Sequence, residues 1–378
     1  MAHPDAARPS RIPVLRAVSP IARVAIGATL VMAGVAIVLD FGLHVEGATV
    51  FVVSAIAILG LAWIVGLSTE RLGALTGPQV GGILNATFGN IAELIIAFFA
   101  LQAGLITVVK ASLTGSIIGN LLLVLGAAVL AGGLRNGLQT FSQRIAGSNA
   151  ALLVLAAVGL FIPAVFAVSG LESEGTRVEE SVLVALVLIV GYGLSLAWGF
   201  TNPEATLGGH DEPEGHAGPA WSGRVAVGVL LVAAAFLAVL SEILVSSIEP
   251  FIEQFGLSEL FVGVILIPTI GNLAEHIVAV QLAYKNKVEF AMAVTFGSSL
   301  QVALFVAPVL VLLGLVVGQP MDLVFQPLEI AAVGVAVAIS ALIALDGESN
   351  WLEGALLMLV YLIIAISFFE LRVPLQAV

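Results

Sequence analysis

Two acidic residues lie inside apolar segments that are copies of each other. The sequence TFGNIAELIIA at 87–97 returns as TIGNLAEHIVA at 269–279, which places Glu93 and Glu275 at equivalent positions. Seven of the eleven positions are identical, and the offset of 269 − 87 = 182 residues extends beyond the motif without a gap. A carboxylate in apolar surroundings costs free energy and marks a functional site by default. We therefore expect the two acids to form one binding site.

Amides, glycines and a proline accompany each acid. Asn90 and Asn272 precede the acids by three residues, so amide and carboxylate share a helix face. Gly89, Gly271 and Pro268 are expected to loosen their helices and to free carbonyl oxygens that lipid cannot satisfy. Such an all-oxygen shell suits Ca²⁺ and also admits Mn²⁺. The alternative is that the acids are only hydrogen-bonded parts of a helix bundle.

More polar residues follow or flank the two copies. His276 stands beside Glu275 where the first copy has Leu94, and an imidazole there is suited to carrying or sensing protons near neutral pH. Glu70 and Glu242 are expected to be gate or ion-access groups, with solvation at a helix end as the alternative for Glu70. The next helix of each copy contains Gly-Ser and then a carboxamide, which predicts supporting roles for Ser116, Ser298, Asn120 and Gln301. Serine also serves simply to join membrane helices.

The amino-acid composition indicates that this chain is embedded in a membrane. Hydrophobic residues make up 60% of its 378 residues and charged residues only 10%, whereas soluble domains contain about 25% charged residues. A spanning helix needs about 20 apolar residues. Eleven spans are predicted, at 21–43, 48–67, 80–102, 105–132, 147–169, 180–200, 223–248, 260–284, 288–317, 323–345 and 350–370.

The repeated segment lies in the second helix of two five-helix sets. Residues 1–47 form a tail and an extra helix, 48–202 the first set, 203–221 an acidic linker and 222–378 the second set. Because five is odd, the second set is inverted relative to the first, and such repeats bind a transported solute near the bilayer midplane. The sequence thus predicts an all-α integral membrane protein with two inverted repeats and the two acids facing each other.

The thirteen Lys and Arg residues predict the orientation. If the N-terminus is cytoplasmic, ten of them lie on the cytoplasmic side, which is the side where positive residues are usually found. The C-terminus is then external, because the number of spans is odd. The net charge of −12 disfavours nucleic acid as a partner. The linker at 203–221 is rich in Pro, Gly, acids and His, so we expect a flexible cytoplasmic segment, with a divalent-cation sensor as the alternative.

Both halves of the chain resemble the cation/proton exchanger family, the Ca²⁺/H⁺ antiporters. The resemblance lies in GGILNATFGNIAELIIAFFALQAG and VKASLTGSIIGNLLLVLG, and in IPTIGNLAEHIVAV and AVTFGSSLQVALFVAPVLVLLG. It implies that Glu93 and Glu275 bind the cation and the proton, with His276 as the family's adjacent histidine. It also implies a secondary antiporter that exports Ca²⁺ in exchange for H⁺ from a prokaryotic cell through its plasma membrane. By the same resemblance, the polar core positions are Asn90, Asn272, Ser116, Ser298 and Gln301.

Three other functions stay open beside this one. A Na⁺/Ca²⁺ exchanger shares the fold but carries a Ser-rich and Pro-Glu pattern where this chain has Gly-Asn and Ala-Glu. A passive divalent-cation channel would not need inverted repeats, and a scaffold would not need buried acids. An enzyme is not expected, because the chain has no cysteine and no nucleophile–base pair or phosphate-binding loop. The expected partners are Ca²⁺, H⁺ and the lipid bilayer, without a resident cofactor.

Overall fold

Eleven helices follow one another in the described part of the chain. The computed structural model describes residues 18–45, 47–77, 80–81, 84, 87–168, 174–202 and 221–371. Predictions for the N-terminal tail, for linker residues 203–220 and for Arg372 lie outside these ranges. The helices are α1 (Pro20–Gly42), α2 (Ala48–Thr76), α3 (Ile91–Gln102), α4 (Ile106–Asn136), α5 (Gln143–Val168), α6 (Glu174–Thr201), α7 (Gly223–Phe255), α8 (Glu259–Tyr284), α9 (Val288–Val317), α10 (Pro327–Ile343) and α11 (Trp351–Glu370).

Nine of the described helices are long and apolar enough to span a membrane, and α3 and α10 are shorter. Contacts between the helix ends show that the shorter two also cross. At one end of the bundle, Arg71 Nε near the end of α2 donates to Trp221 O just before α7, at 2.7 Å. At the opposite end, the first residue of α2 donates to Gln254 Oε1 near the end of α7, at 3.1 Å. These two contacts require an even number of crossings between α2 and α7, so the part of the chain between α2 and α4, which contains α3, must make one of them.

A short two-stranded sheet extends the same argument to α10. Strand β1 (Gln139–Thr140) pairs antiparallel with β2 (Glu348–Ser349), which places the α4–α5 and α10–α11 connections on one side. Gln139 Nε2 also donates to Ala283 O at the end of α8, at 3.0 Å. We call this side face A and the opposite side face B. Eleven alternating spans satisfy all of these contacts, as the sequence predicts.

Several helix boundaries differ from the predicted ones. Helix α2 continues to Thr76, nine residues past the expected end at residue 67. Helix α7 is interrupted by a turn at Ser247 and resumes over Ile248–Phe255, an amphipathic segment that carries acids on one face. Hydropathy alone places helix ends where charged residues begin, but helical hydrogen bonding continues into the polar boundary of a membrane.

The two repeats share local backbone features. Helix α4 contains a wide π turn at Gly119–Val124, and α9 contains one at Val302–Val306. The offset of 182 residues superposes these turns to within one residue. Since π turns are rare and often lie at functional sites, their repetition supports two copies of one structural unit.

Small residues allow the helices to approach closely, because lipid supplies little hydrophobic force between them. A Cβ added to Gly354 of α11 would lie 2.3 Å from Leu130 N of α4. The same holds for Gly60 of α2, where an added Cβ would lie 2.0 Å from Thr29 Oγ1 of α1. Helices α4 and α9 are more than half buried within the bundle, whereas α1, α6 and α11 expose most of their surface to the membrane. The centre of the protein is therefore built on α4 and α9.

Candidate ion-binding site

The helix that carries Glu93 begins inside the helix bundle, where Asn90 and Ala92 are buried. Gly89 and Asn90 form a turn, α3 starts at Ile91, and Glu93 lies in its first turn. The N-terminus of a helix stabilises negative charge through its free N–H groups. The expected interruption at Gly89 is thus present, and it presents the carboxylate at a helix start.

The second copy is not interrupted at Gly271. Helix α8 runs continuously through this residue, and its irregularity is a π turn at Val262–Leu266, just before Pro268. Pro268 has no N–H to donate to the carbonyl four residues earlier, which explains the irregular turn there. The expectation that Gly271 loosens its helix is therefore wrong. Instead, Gly271 makes room for Glu93, since an added Cβ would lie 2.8 Å from Glu93 Cγ.

Residues from both repeats hold the Glu93 carboxylate. Its Oε1 atom accepts hydrogen bonds from Ser116 Oγ of α4 and Asn272 Nδ2 of α8. The side chain is buried, and its Oε2 atom has no hydrogen-bond partner among the described residues. A buried charged oxygen without a partner costs free energy. This oxygen is therefore poised for a proton or a cation.

Glu275 faces the same interior from α8. It is half-buried at a cavity wall, yet its Oε2 atom is buried and likewise lacks a hydrogen-bond partner in the described chain. Glu93 and Glu275 interact electrostatically, and Ser298 contacts the Glu275 carboxylate. The structure therefore brings the two repeated acids to one site, as predicted.

A set of amides and hydroxyls beside the acids joins the two repeats. Asn90 Nδ2 donates to Gln301 Oε1 at 3.0 Å, and Asn90 Oδ1 accepts from Ser298 Oγ at 3.2 Å. Asn120 Nδ2 donates to Ser298 Oγ at 2.9 Å. Ser298 has a single hydroxyl proton, so Asn90 and Glu275 compete for it. Of the predicted supporting residues, Asn120, Ser298 and Gln301 lie in this network, whereas Ser116 bonds Glu93.

A cavity of about 510 Å³ connects this network with face A. Its walls are the halves of α2, α8 and α9 that lie toward face A, and its inner end reaches Glu275, Ser298 and Gln301. Toward face B, a separate pocket beside Glu93, between Pro268 and Val302, has a volume of about 10 Å³. It holds at most about one water molecule, which needs about 10–15 Å³. The described cavity therefore extends from the acids toward face A, and packed side chains lie between Glu93 and face B.

The remaining predicted residues lie at different distances from this cavity. Glu70 lies on its wall, exposed and near the face A end of α2, where an ion-access group would be. His276 is half-buried beside Glu275 but is not part of the wall. Glu242 is exposed on α7 and is not brought to this cavity. Its predicted role in ion access stays a prediction for the pathway to face B.

Sequence reasoning missed one buried acid, Glu329 of α10. It is 1% exposed, and its two oxygens accept from Thr114 Oγ1 at 2.7 Å and from Gln326 N at 2.9 Å. The Gln-Pro-Leu-Glu sequence that begins α10 is the available signal, since it forms a capping box. Because both oxygens have partners, Glu329 caps α10 and joins it to α4.

The donor set is suited to a hard cation. No group of three or more acids, histidines or cysteines in the described chain is placed to hold a metal ion. A divalent ion at this site would therefore take oxygens from two carboxylates and complete its shell with amides, hydroxyls, carbonyls and water, as Ca²⁺ does. Carboxylate oxygens also accept protons, so the same atoms are suited to both kinds of ion.

Comparison with known proteins gives a consistent result. The sodium/calcium exchanger protein family matches residues 46–201 and 225–369. The Ca²⁺/H⁺ antiporter of Aphanothece halophytica is 46% identical over 341 residues, 86% of this chain and 91% of that protein. The Ca²⁺/H⁺ antiporter ChaA of Bacillus subtilis is 42% identical over 350 residues, 90% and 98% of the two chains. A crystal structure of the Ca²⁺/H⁺ antiporter protein YfkE has a TM-score of 0.79 at 39% identity and covers 93% of this chain and 100% of that one. This chain belongs to the sodium/calcium exchanger protein family, and within it is similar to Ca²⁺/H⁺ antiporters over most of its length.

Proposed function

We propose that this protein is a secondary antiporter that moves Ca²⁺ across the membrane in exchange for H⁺. One observation carries the proposal. Glu93 and Glu275, one from each repeat, each bury a carboxylate oxygen without a hydrogen-bond partner in the described chain, and Glu275 lies on the wall of a cavity that extends toward face A. The relatives named as Ca²⁺/H⁺ antiporters, at 42–46% identity, support the choice of ions.

The coupling follows from the cost of the empty site. Two carboxylates that repel each other in a low-dielectric bundle need either a divalent ion or protons to neutralise them. If the charged, empty site is too costly to change its exposure, only the metal-loaded or the protonated protein switches between faces. Each turnover then exchanges one kind of ion for the other.

The closed route toward face B favours a carrier over a passive channel. An open channel gives ions a continuous path, whereas here α4 and α8 pack backbone against backbone between Glu93 and face B, and the pocket beside Glu93 has a volume of only about 10 Å³. The sodium-coupled alternative is distinguished by the driving ion. Selectivity for Ca²⁺ and Mn²⁺ over the softer Cd²⁺ is a further part of the proposal, because the described site offers only hard oxygen ligands.

Transport in vesicles tests the coupling. We expect acid-inside vesicles that contain the protein to accumulate ⁴⁵Ca²⁺, and a protonophore to abolish the accumulation by dissipating the pH gradient. Protein-free vesicles measured in parallel are the control. Accumulation that survives the protonophore but requires a sodium gradient would establish the sodium-coupled alternative instead.

We further propose that face A is cytoplasmic in a bacterial plasma membrane. Basic residues at the ends of the helices collect there, whereas Lys110 and Arg177 lie toward face B. Positive residues favour the cytoplasmic side. We expect a reporter fused after residue 210 to be cytoplasmic and one fused at the C-terminus to be external. Fusions that give the reverse pattern would invert the orientation and, with it, the direction of export.

A further inference from the structure

Helices α4 and α8 touch through their backbones between the site and face B. A Cβ added to Gly115 of α4 would lie 2.2 Å from Val264 O of α8, and one added to Gly263 would lie 2.4 Å from Ala111 Cβ. All four residues are buried. Such an approach is possible only where side chains are absent or minimal. We call these four residues seam B, because they pack α4 against α8 between the acids and face B.

The repeat offset of 182 residues gives seam B a counterpart. Gly263, Ala111 and Gly115 correspond to Gly81, Ala293 and Gly297, and each pair is identical in residue type. We call Gly81, Ala293 and Gly297 seam A. They lie on α9 and on the segment before α3, toward face A.

Seam A is open where seam B is closed. Ala293 and Gly297 lie on the cavity wall, and a Cβ added to Gly297 would meet nothing within 4 Å. Gly81 packs on α2, since an added Cβ would lie 3.0 Å from Gly73 Cα. Identical residues in the two repeats thus have different neighbours.

We propose that seam A and seam B are the two alternating gates of this transporter. In the state described here, seam B is closed and ions reach the acids from face A. In the opposite state, Gly81 leaves Gly73 and closes on Ala293, and Gly297 is covered, while Gly115 separates from Val264. This inference rests on the proposed antiport, because a carrier requires both states. Two discrete packings of one contact are what such a switch needs.

Cysteine crosslinking tests the closure of seam A directly, because the chain has no native cysteine. Disulfides form at Cβ–Cβ distances of about 3.5–4.5 Å, which the closed seam would reach after a small adjustment. We expect the Gly81→Cys/Ala293→Cys protein to crosslink on oxidation, to lose exchange about tenfold or more, and to regain it with reductant. The pair Gly81→Cys/Gly193→Cys is the control, since Gly193 is an exposed residue of α6, and it should not crosslink within one molecule.

A second variant tests the closure of seam A by placing a larger side chain in it. Gly297→Val should still bind Ca²⁺ from face A, because the added atoms enter open space, but it should lose exchange about tenfold because seam A no longer closes. Gly193→Val should exchange within about twofold of the native protein. The proposal is overturned if the cysteine pair in seam A does not crosslink, or if Gly297→Val exchanges normally. Crosslinking does not depend on the coupling ion, so it remains informative even if wild-type transport proves to be sodium-driven.

Discussion

Glu93→Gln and Glu275→Gln are each expected to abolish Ca²⁺ transport while the protein remains folded and inserted. Each change keeps the size of the side chain and removes one negative oxygen from a site whose described residues include two acids. A loss of about 3 kcal/mol in ion binding corresponds to about 100-fold in affinity, and a larger loss is expected where charge is buried. Uptake of ⁴⁵Ca²⁺ into vesicles containing equal amounts of each variant measures the effect.

The matched control is Glu249→Gln, since Glu249 is an exposed acid on the segment of α7 near face B. This variant should transport within about twofold of the native rate, because solvated charges contribute little. Near-normal exchange in either Glu93→Gln or Glu275→Gln would show that the ion does not bind between the two repeats.

The second large effect concerns pH. Ca²⁺ and H⁺ are expected to compete for the same carboxylate oxygens, so the apparent affinity for Ca²⁺ should weaken as pH falls. For each proton displaced by the ion, the half-saturating Ca²⁺ concentration should rise by up to about tenfold per pH unit. Measuring Ca²⁺ binding to purified protein between pH 8 and pH 6 gives the slope directly. An affinity that does not change with pH would separate the proton from the metal site.

A serine pair on α4 refines the same measurement. Ser116 Oγ donates to Glu93, whereas Ser112, one helical turn earlier, donates to Val109 O at 2.8 Å. Both serines are buried, and hydrogen bonds to charged groups are worth about 1.5–3 kcal/mol. Ser116→Ala should therefore change the competition between Ca²⁺ and H⁺, whereas Ser112→Ala should leave it unaltered. Equal effects of the two changes would attribute both to helix packing.

The sequence by itself determined the membrane class, the eleven crossings and the pair of acids. Each of these is encoded locally: a span by the length of an apolar run, a repeat by residue identity at a constant offset, and a functional acid by its cost in lipid. The contacts between helix ends in the structure agree with this number of crossings. The burial of Glu329 was not predicted, because the only sequence pattern around it is a capping box at the start of a short helix.

The tertiary structure decided which partners each acid has. Ser116 and Asn272 bond the same oxygen of Glu93, although 156 residues separate them in the sequence. Gly271 proved to provide space for that side chain, which a helix-breaking interpretation of glycine does not reveal. Contacts of this kind depend on how helices cross, and no local pattern encodes them.

Only the structure shows which face the site opens to. The two repeats have identical residues at Gly115 and Gly297, yet one is closed against Val264 and the other faces open space. The two inverted repeats have the same residue types at equivalent positions. In a conformation that is open to one face, however, equivalent residues of the two repeats have different neighbours. The sequence therefore specifies a protein with two related states, and packing selects which of them is occupied.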